Sequence, residues 1–509
     1  MIDLASEHLR NTAAAYPERT ALTDGEREFS WRELDDSVER LARRLVAIGF
    51  GPGQSVMIMS ENNAEFLILC FGVWRAGGVM AVVHASIGPD ELDYALTNAE
   101  PALLFAERPY LDAAGAALAR TARPTRLLEL SADLDVLRDV EPAAVALPEV
   151  DPEALGIIGY TSGTTGRPKP VAHTHLTIAR GTDGVADMWR FASDDTILVA
   201  MPLSWMMGLI ILSVSATTRG SRIHLLRRFN AVDVVDAIIE RGVTFFAAST
   251  SMYAKVLDAW PRRDSPVTLR LRCCISAGEA RNEAAFGQWR RLTGMPVLDS
   301  YGAFECWPLV THDPASATLP PRGSAGRVVT GARLRVLGPD GHEVERGQVG
   351  EAQGLAPCMM MGYWREPELT ASTITPDGWY RTGDYARVDD DGFVYILGRA
   401  GDLIVHAGHH VFSAEVEQVL SELDEIAEVA VVGIPDDEFG QVVAAAVVAA
   451  SGTAPAEAAM RAHCATRLEA AKVPTIIRIV EELPHNASGK ILRREVVPIL
   501  SEAHAATSD

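Results

Sequence analysis

The sequence predicts an α/β protein built on parallel sheet, with a smaller β-rich unit and a compact α+β segment behind it. Three observations carry this. Short apolar runs alternate with amphipathic helical stretches over the first 150 residues and again to about residue 275, the pattern of parallel strands joined by helices. From about 320 to 400 the pattern changes to short strands punctuated by Gly and Pro. After Gly401 a mixed pattern resumes, with strands expected near 427–434 and 442–450.

The elements follow from local chemistry. Ser30 with Glu33 three residues later is a capping box that opens a helix running through Ile48. Residues 55–59 read as a strand, 65–75 as a helix and 79–83 as a strand. Pro89, Glu91 and Leu92 start the next helix, and 102–105 closes that series with a strand. Apolar runs at 155–160, 196–201, 221–226, 244–248 and 271–275 continue it. No internal repeat is evident, and the only biased tract is Ala-rich, around 113–120.

At 509 residues and about 150 per domain, the chain has room for roughly three domains and a large core. Its 68 acidic residues outnumber 46 basic ones, for a net charge of −22. So acidic a chain lacks the basic footprint of a duplex-binding protein, and no nucleic-acid partner is expected. Anionic small ligands remain compatible, because a few amides and cations suffice to hold them. Only four of the basic residues are lysines, Lys169, Lys255, Lys472 and Lys490. Where Arg is used almost everywhere, a Lys marks a place that needs a compact ammonium on a flexible stem.

Cys70, Cys273, Cys274, Cys306, Cys358 and Cys464 show no paired spacing, which points to a reducing, cytoplasmic compartment. The opening MIDLASEHLR lacks the charged-then-apolar pattern of a leader. Residues 196–218 carry no charge over 23 positions, long enough for a membrane span. Pro202, Ser204 and Gly208 interrupt the run, so a strand, a turn at Pro202 to Trp205 and a buried helix are expected instead.

The strongest local signal is YTSGTTGRPKP, Tyr160 to Pro170. It follows an apolar strand and gathers hydroxyls, glycines and Lys169, so that amides, hydroxyl donors and an ammonium can converge on an anion. It matches neither the Walker pattern nor a dinucleotide fingerprint.

This run resembles the phosphate loop of the AMP-forming adenylating enzymes: acyl-CoA synthetases, peptide-synthetase adenylation domains and luciferases. The resemblance extends over nearly the whole chain. SAGE (Ser276 to Glu279), YGAFE (Tyr301 to Glu305), GYW (Gly362 to Trp364), WYRTGD (Trp379 to Asp384), GRAGDLI (Gly398 to Ile404) and SGKILRR (Ser488 to Arg494) follow in the family's order.

The resemblance implies a large N-terminal domain, 1–400, of stacked α/β sheets plus a small β-barrel-like unit. A small mobile α+β domain, 401–509, follows, with a hinge near Gly401. It implies ATP, Mg²⁺ and CoA as the reaction's requirements. Thr161, Ser162, Gly163, Thr164, Thr165, Gly166 and Lys169 would hold the β- and γ-phosphates. Ala277, Gly278 and Glu279 would line the adenine slot, Tyr301 would stack on the base, Glu305 would bind Mg²⁺, Asp384 would accept from the ribose hydroxyls, and Arg399 would help hold the nucleotide. Lys490 is the expected catalytic cation, bridging acyl oxygen and α-phosphate, and Gly408 matches the glycine that passes the pantetheine thiol. Lys472 is read as structural. His406, His409 and His410 of HAGHH lack the further ligands of a zinc site, and a polar loop is expected there.

Two departures bear on substrate. Phe304 stands where the family has a Thr whose hydroxyl contacts the α-phosphate, and Gly401 stands where Lys or Asp is common. Trp205, beside Met206 and Met207, occupies the position that gates the acyl pocket and forms an apolar slot. Gly302, Ala303, Phe304 and Trp205 are therefore assigned to the acid. A rigid slot of this kind suits an aromatic or alicyclic acid, giving an ATP-dependent carboxylate–CoA ligase. The alternative is a specialised homologue that loads a carrier protein or activates nitrite to diazotise an arylamine. A catalytically silent homologue is disfavoured by the joint retention of Lys169, Glu305, Asp384, Arg399 and Lys490.

Overall fold

The computed structural model describes residues 3–131, 134, 137, 145–161, 167–260, 269–278, 281–436, 438–450, 452–485 and 491–505. Parallel strands run side by side in the order Thr20–Asp24, Arg222–Leu225, Thr196–Val199, Phe245–Ala248, Cys273–Ala277 and Val297–Ala303. A second sheet holds Arg126–Glu129, Leu103–Ala106, Ser55–Met59, Val79–Val82 and Leu155–Thr161 in parallel, closed by the antiparallel Lys169–Thr174 and Gly362–Tyr363.

Side chains alternate across each strand, and that alternation builds the layers. Ile197, Val199, Phe245, Ala247 and Ile275 of the first sheet join Val56, Ile58, Val82 and Ile157 of the second in one central core. The intervening neighbours Leu198, Phe246 and Cys274 pack outward against helices Ala231–Glu240, Thr250–Ala259 and Glu283–Thr293. Met57, Ala81 and Leu104 likewise pack outward, against Pro89–Ala99 and Leu111–Thr121. The helix Ala64–Arg75 lies between the sheets with every residue buried, which is why it is apolar all round from Phe66 to Trp74, with Glu65 and Arg75 at its ends ion-paired.

The expected capping box is present: Ser30 Oγ accepts from the Glu33 amide at 3.2 Å, and Glu33 accepts from the Ser30 amide at 2.8 Å. The expected β-rich region is joined to the first sheet. Its strands Gly326–Val328, Phe393–Arg399, Tyr380–Val388, Val349–Leu355 and Arg333–Leu337 continue the first sheet antiparallel from Cys306–Thr311. The tight return at Phe304 and Glu305, where Ala303 pairs with Cys306, makes the junction.

No helix among the described residues is long and apolar enough to cross a membrane. The uncharged run instead forms strand Thr196–Val199, a π-helix Met207–Val214 and helix Ser215–Arg219. Gly208 is required here, because a Cβ would stand 2.2 Å from the Pro202 carbonyl oxygen.

Ile404–His406, His409–Val411, Ile426–Asp436, Gly440–Ala449 and Ile476–Val480 form the third sheet. Its unit rests on the larger one through Asn282 Nδ2 donating to the Ala427 carbonyl at 3.0 Å, the Arg322–Glu422 ion pair at 3.1 Å, and Tyr385 against Phe412. Gly401 lies in the 3-10 turn Ala400–Asp402 without the positive φ that favours glycine. It is exposed, and a Cβ there would meet nothing within 4 Å.

Candidate active site

Thr161, Ala277 and Tyr301 lie at the C-terminal ends of parallel strands, where open α/β sheets bind ligands, whereas Lys169 opens an antiparallel strand and Asp384 and Arg399 lie on an antiparallel hairpin. Thr161 ends one strand of the second sheet and Lys169 begins its antiparallel neighbour, the two being register partners. Lys169 is thus the first residue of a strand rather than part of a free loop. Ser162, Gly163, Thr164, Thr165 and Gly166 lie outside the described residues, as do Glu279 and Lys490. The residues flanking Lys490 are informative: His485 bridges to Ile491, and His485 stands 3.5 Å from Glu428, beside the Ala427 carbonyl that Asn282 engages. Asn282 follows the SAGE motif by three residues.

Lys169 directs its ammonium over the Tyr363 ring, 5.6 Å from the centroid, within cation–π range. Tyr363 arrives through the short strand Gly362–Tyr363, paired with Ala172 and Val171. Its hydroxyl donates to Glu305 Oε1 at 2.8 Å. Burial, reinforced by the Glu305 charge, pushes the Tyr363 phenol well above its ordinary value, so the proton stays on the donor. Tyr363 lies in GYW, but no role was expected of it.

A second carboxylate stands nearby in a different setting. Asp384 and Arg399 are register partners across a hairpin, with Arg399 Nε 3.0 Å from Asp384 Oδ1. The Tyr301 hydroxyl donates to Asp384 Oδ2 at 2.5 Å, and burial raises the Tyr301 pKa so that it remains a donor. Arg399 also donates to the Thr382 carbonyl at 2.8 Å. Ala277 is register partner to Ser300, next to Tyr301, so SAGE and the tyrosine stand on neighbouring strands. Gly278 takes a φ of +87°.

Phe304 faces away from this cluster. The return at Phe304 and Glu305 turns successive side chains to opposite sides, and Phe304 enters the central core at 7% exposure. Its ring stacks on His173 at 5.1 Å and lies so close to Gly159 that a Cβ there would meet Phe304 Cε1 at 1.9 Å. His173 Nε2 donates to the Phe304 carbonyl at 2.6 Å. Burial lowers the His173 pKa to about 4, so a neutral imidazole holds this return. Gly302 is exposed and Ala303 half-buried on the same strand.

Trp205 is half-buried and stacks on His84, with centroids 5.8 Å apart and an interplanar angle of 30°. His84 follows the strand Val79–Val82, whose Val82 pairs with Gly159. The Trp205–His84 pair therefore stands at the same sheet end as Thr161. His84 Nδ1 accepts from the Ser86 amide at 3.2 Å, leaving Nε2 as the protonated nitrogen of a ring whose pKa burial lowers. His84 was not anticipated, as a lone histidine beyond an apolar strand carries no motif. Met206 and Met207 pack against the central core.

The HAGHH run is a tight hairpin. His406 pairs with His409 across a turn in which Ala407 and Gly408 take φ of +50° and +81°, a two-residue turn of the kind that requires positive φ. His406 Nδ1 meets the Gln441 carbonyl at 2.7 Å, while His409 and His410 are exposed. Lys472 binds Glu415 at 2.9 Å, the structural role expected of it. No group of three or more His, Cys, Asp or Glu converges among the described residues. A metal cage made by protein alone is thus absent there, but Glu305 fits an ion such as Mg²⁺: one oxygen is occupied by Tyr363, and no Lys or Arg forms an ion pair with it among the described residues, although the Arg399 charge acts on it from farther off. Mg²⁺ is commonly held by one or two carboxylates together with substrate phosphates and water.

An ammonium, a buried carboxylate held by a phenol and a second, arginine-paired carboxylate thus stand together on an α/β fold. The chain belongs to the AMP-binding enzyme family, whose profile matches residues 9–364, while that of the AMP-binding enzyme C-terminal domain matches 415–490. It is an AMP-forming acid–thiol ligase. It is 30% identical to an indoleacetate–CoA ligase of Aromatoleum aromaticum, over 96% of this chain and 97% of that one. It is also 30% identical to a sulfoacetate–CoA ligase of Cupriavidus necator, over 95% and 96%. A crystal structure of an anthranilate CoA ligase in complex with anthranoyl-AMP superposes with a TM-score of 0.91 at 25% identity, covering 99% of this chain and 98% of that one.

Proposed function

We propose that this chain activates an aromatic or alicyclic carboxylic acid with ATP and passes it to CoA. The acid's carboxylate attacks the α-phosphorus, releasing pyrophosphate and forming an acyl-AMP. The CoA thiolate then attacks the acyl carbon and AMP leaves. Thr161, Ser162, Gly163, Thr164, Thr165, Gly166 and Lys169 hold the β- and γ-phosphates in this reading. Ala277, Gly278, Glu279 and Tyr301 receive the base, while Asp384 accepts from the ribose with Arg399 orienting it. Glu305 holds Mg²⁺, which supplies charge neutralisation on the triphosphate. Lys490 stabilises charge building on the phosphorus oxygens.

The observation that carries the nucleotide half is the meeting of Lys169 and Tyr363 from the second sheet with Glu305, beside Asp384 and Arg399, from the first. The acid half rests on the Trp205–His84 stack, a flat wall that favours a ring over a flexible chain. Gly302 and Ala303 border the same space. Phe304 acts in this reading by shaping the return that carries Glu305, since its ring is committed to Gly159 and His173. Gly408, at a hairpin tip, gives the pantetheine arm room to pass. Rotation of 401–509 against 1–400 about Gly401 serves the second half-reaction, in keeping with an exposed 3-10 turn between two strands. A cytoplasmic location accords with six buried free thiols.

ATP–pyrophosphate exchange without CoA, over aryl, alicyclic, short and C16 acids, tests this. Exchange strongest with an aryl or alicyclic acid, followed by thioester formation on adding CoA, is the expected result. A C16 or a short aliphatic acid as best substrate overturns the assignment of the acid. Silence with every carboxylate but turnover with nitrite and an arylamine overturns the reaction.

A further inference from the structure

We infer that Tyr363 is a positioning residue for the nucleotide's metal: it holds the Glu305 carboxylate in its metal-binding orientation and seats the Lys169 ammonium on its ring. This deepens the proposed function, since it rests on Glu305 being the Mg²⁺ ligand. Four observations converge. The Tyr363 side chain is buried, at 4% exposure, in a protein interior where an unengaged phenol is costly. Its hydroxyl engages one oxygen of a carboxylate that is itself 7% exposed, at 2.8 Å, leaving the other oxygen for a cation. Its ring carries the Lys169 ammonium at 5.6 Å. Its backbone is fixed independently of either contact, by pairing of Gly362 and Tyr363 with Ala172 and Val171 and by the Tyr363 amide donating to Thr370 Oγ1 at 2.9 Å.

The arrangement answers a geometric problem. Glu305 sits on a two-residue return, and no ion pair pins it among the described residues. A carboxylate so placed has two free torsions at its end, and a partner that neutralised it would abolish its attraction for a metal. A neutral phenol orients it without cancelling its charge. Partners of metal ligands act in this way, and removing one typically lowers metal affinity about 10-fold or more. The same ring keeps Lys169 at a fixed distance from Glu305 without a direct ion pair between them, so that both charges stay available to the triphosphate.

Calorimetric titration of ATP, with EDTA and with excess Mg²⁺, separates these roles in the intact protein. The readout is the ratio of MgATP to metal-free ATP affinity. Tyr363→Phe is expected to lower that ratio about 10-fold while leaving metal-free ATP affinity within about twofold of wild type, which also reports a folded site. Tyr363→Leu is expected to lower the ratio similarly and to weaken metal-free ATP as well, because Lys169 loses its ring. Glu305→Gln is expected to lower the ratio at least as far, and adding Tyr363→Phe to it should change nothing further. A wild-type ratio in Tyr363→Phe, with Glu305→Gln impaired, overturns the role of Tyr363 alone. A wild-type ratio in Glu305→Gln overturns the metal reading of Glu305, and this inference falls with it.

Discussion

Glu305 and Asp384 are equally buried, each at 7% exposure, yet their surroundings differ in kind. Asp384 faces Arg399 at 3.0 Å and takes a second bond from Tyr301. Glu305 has a single phenol hydroxyl. Burying a carboxylate is costly unless charge or hydrogen bonds compensate it. At Asp384 the protein itself supplies the compensating cation, which leaves an oriented, neutralised acceptor suited to hydroxyls. At Glu305 the hydrogen bond alone compensates incompletely, which suits the site to a cation from outside. Burial and the charged group are the same in both, and the partner decides the chemistry.

The largest expected effect lies outside both carboxylates and sets their scale. Lys490→Ala should cut acyl-AMP formation at least ~100-fold, the size expected for one lost electrostatic donor at a transition state. Rapid-quench measurement of acyl-AMP at wild-type rate would remove Lys490 from the mechanism and leave Lys169 as the cation to examine.

The contrast itself is broken or upheld by Glu305→Gln against Asp384→Asn. Glu305→Gln should lower the adenylation rate roughly 10- to 100-fold at fixed Mg²⁺ and shift half-saturation to higher Mg²⁺. Asp384→Asn should raise the KM for ATP about 10-fold with little change in kcat, the signature of binding shared by ground and transition states. Equal shifts in Mg²⁺ dependence from the two variants would erase the division of labour.

A smaller effect concerns the return that separates the two sites. Phe304→Thr should destabilise the chain by about 3 kcal/mol, as large-to-small core changes do, and should not speed adenylation, because the ring faces Gly159 and His173 rather than the phosphates. A lower denaturation temperature with unimproved exchange is the expected pair of results. Faster exchange in this variant would mean that position 304 reaches the α-phosphate after all.

The smallest effect separates burial that stabilises from burial that serves the site. Burial lowers His173, His175 and His224 from 6.5 to about 4. The unfolded chain therefore binds protons first as pH falls, so stability is full above about 6.5 and declines toward pH 4. Denaturation temperature measured across that window should fall with pH, and less steeply in His175→Gln. A flat profile between pH 6.5 and 4 would mean that these rings are not held neutral by the fold.

Much of this was legible in the chain because it is written in near neighbours. Hydrophobic period marked the strands that became Ser55–Met59 and Leu155–Thr161, and the Ser30 and Glu33 pair marked a helix start, since capping and alternation depend on residues a few positions apart. The motifs also carried Lys169, which opens a strand, and the cross-strand pair of Asp384 and Arg399. Other features depended on distance. Glu305 and Tyr363 are 58 residues apart in sequence and meet only because Gly362–Tyr363 adds to the second sheet. The direction of Phe304, the stack of His84 on Trp205 and the π-helical winding of Met207–Val214 likewise have no local signature. Local preference selects the element, but which way a side chain turns at a two-residue return is decided by the volume waiting on either side. Here Gly159 leaves that volume for Phe304, and the next residue, Glu305, is thereby turned toward Tyr363.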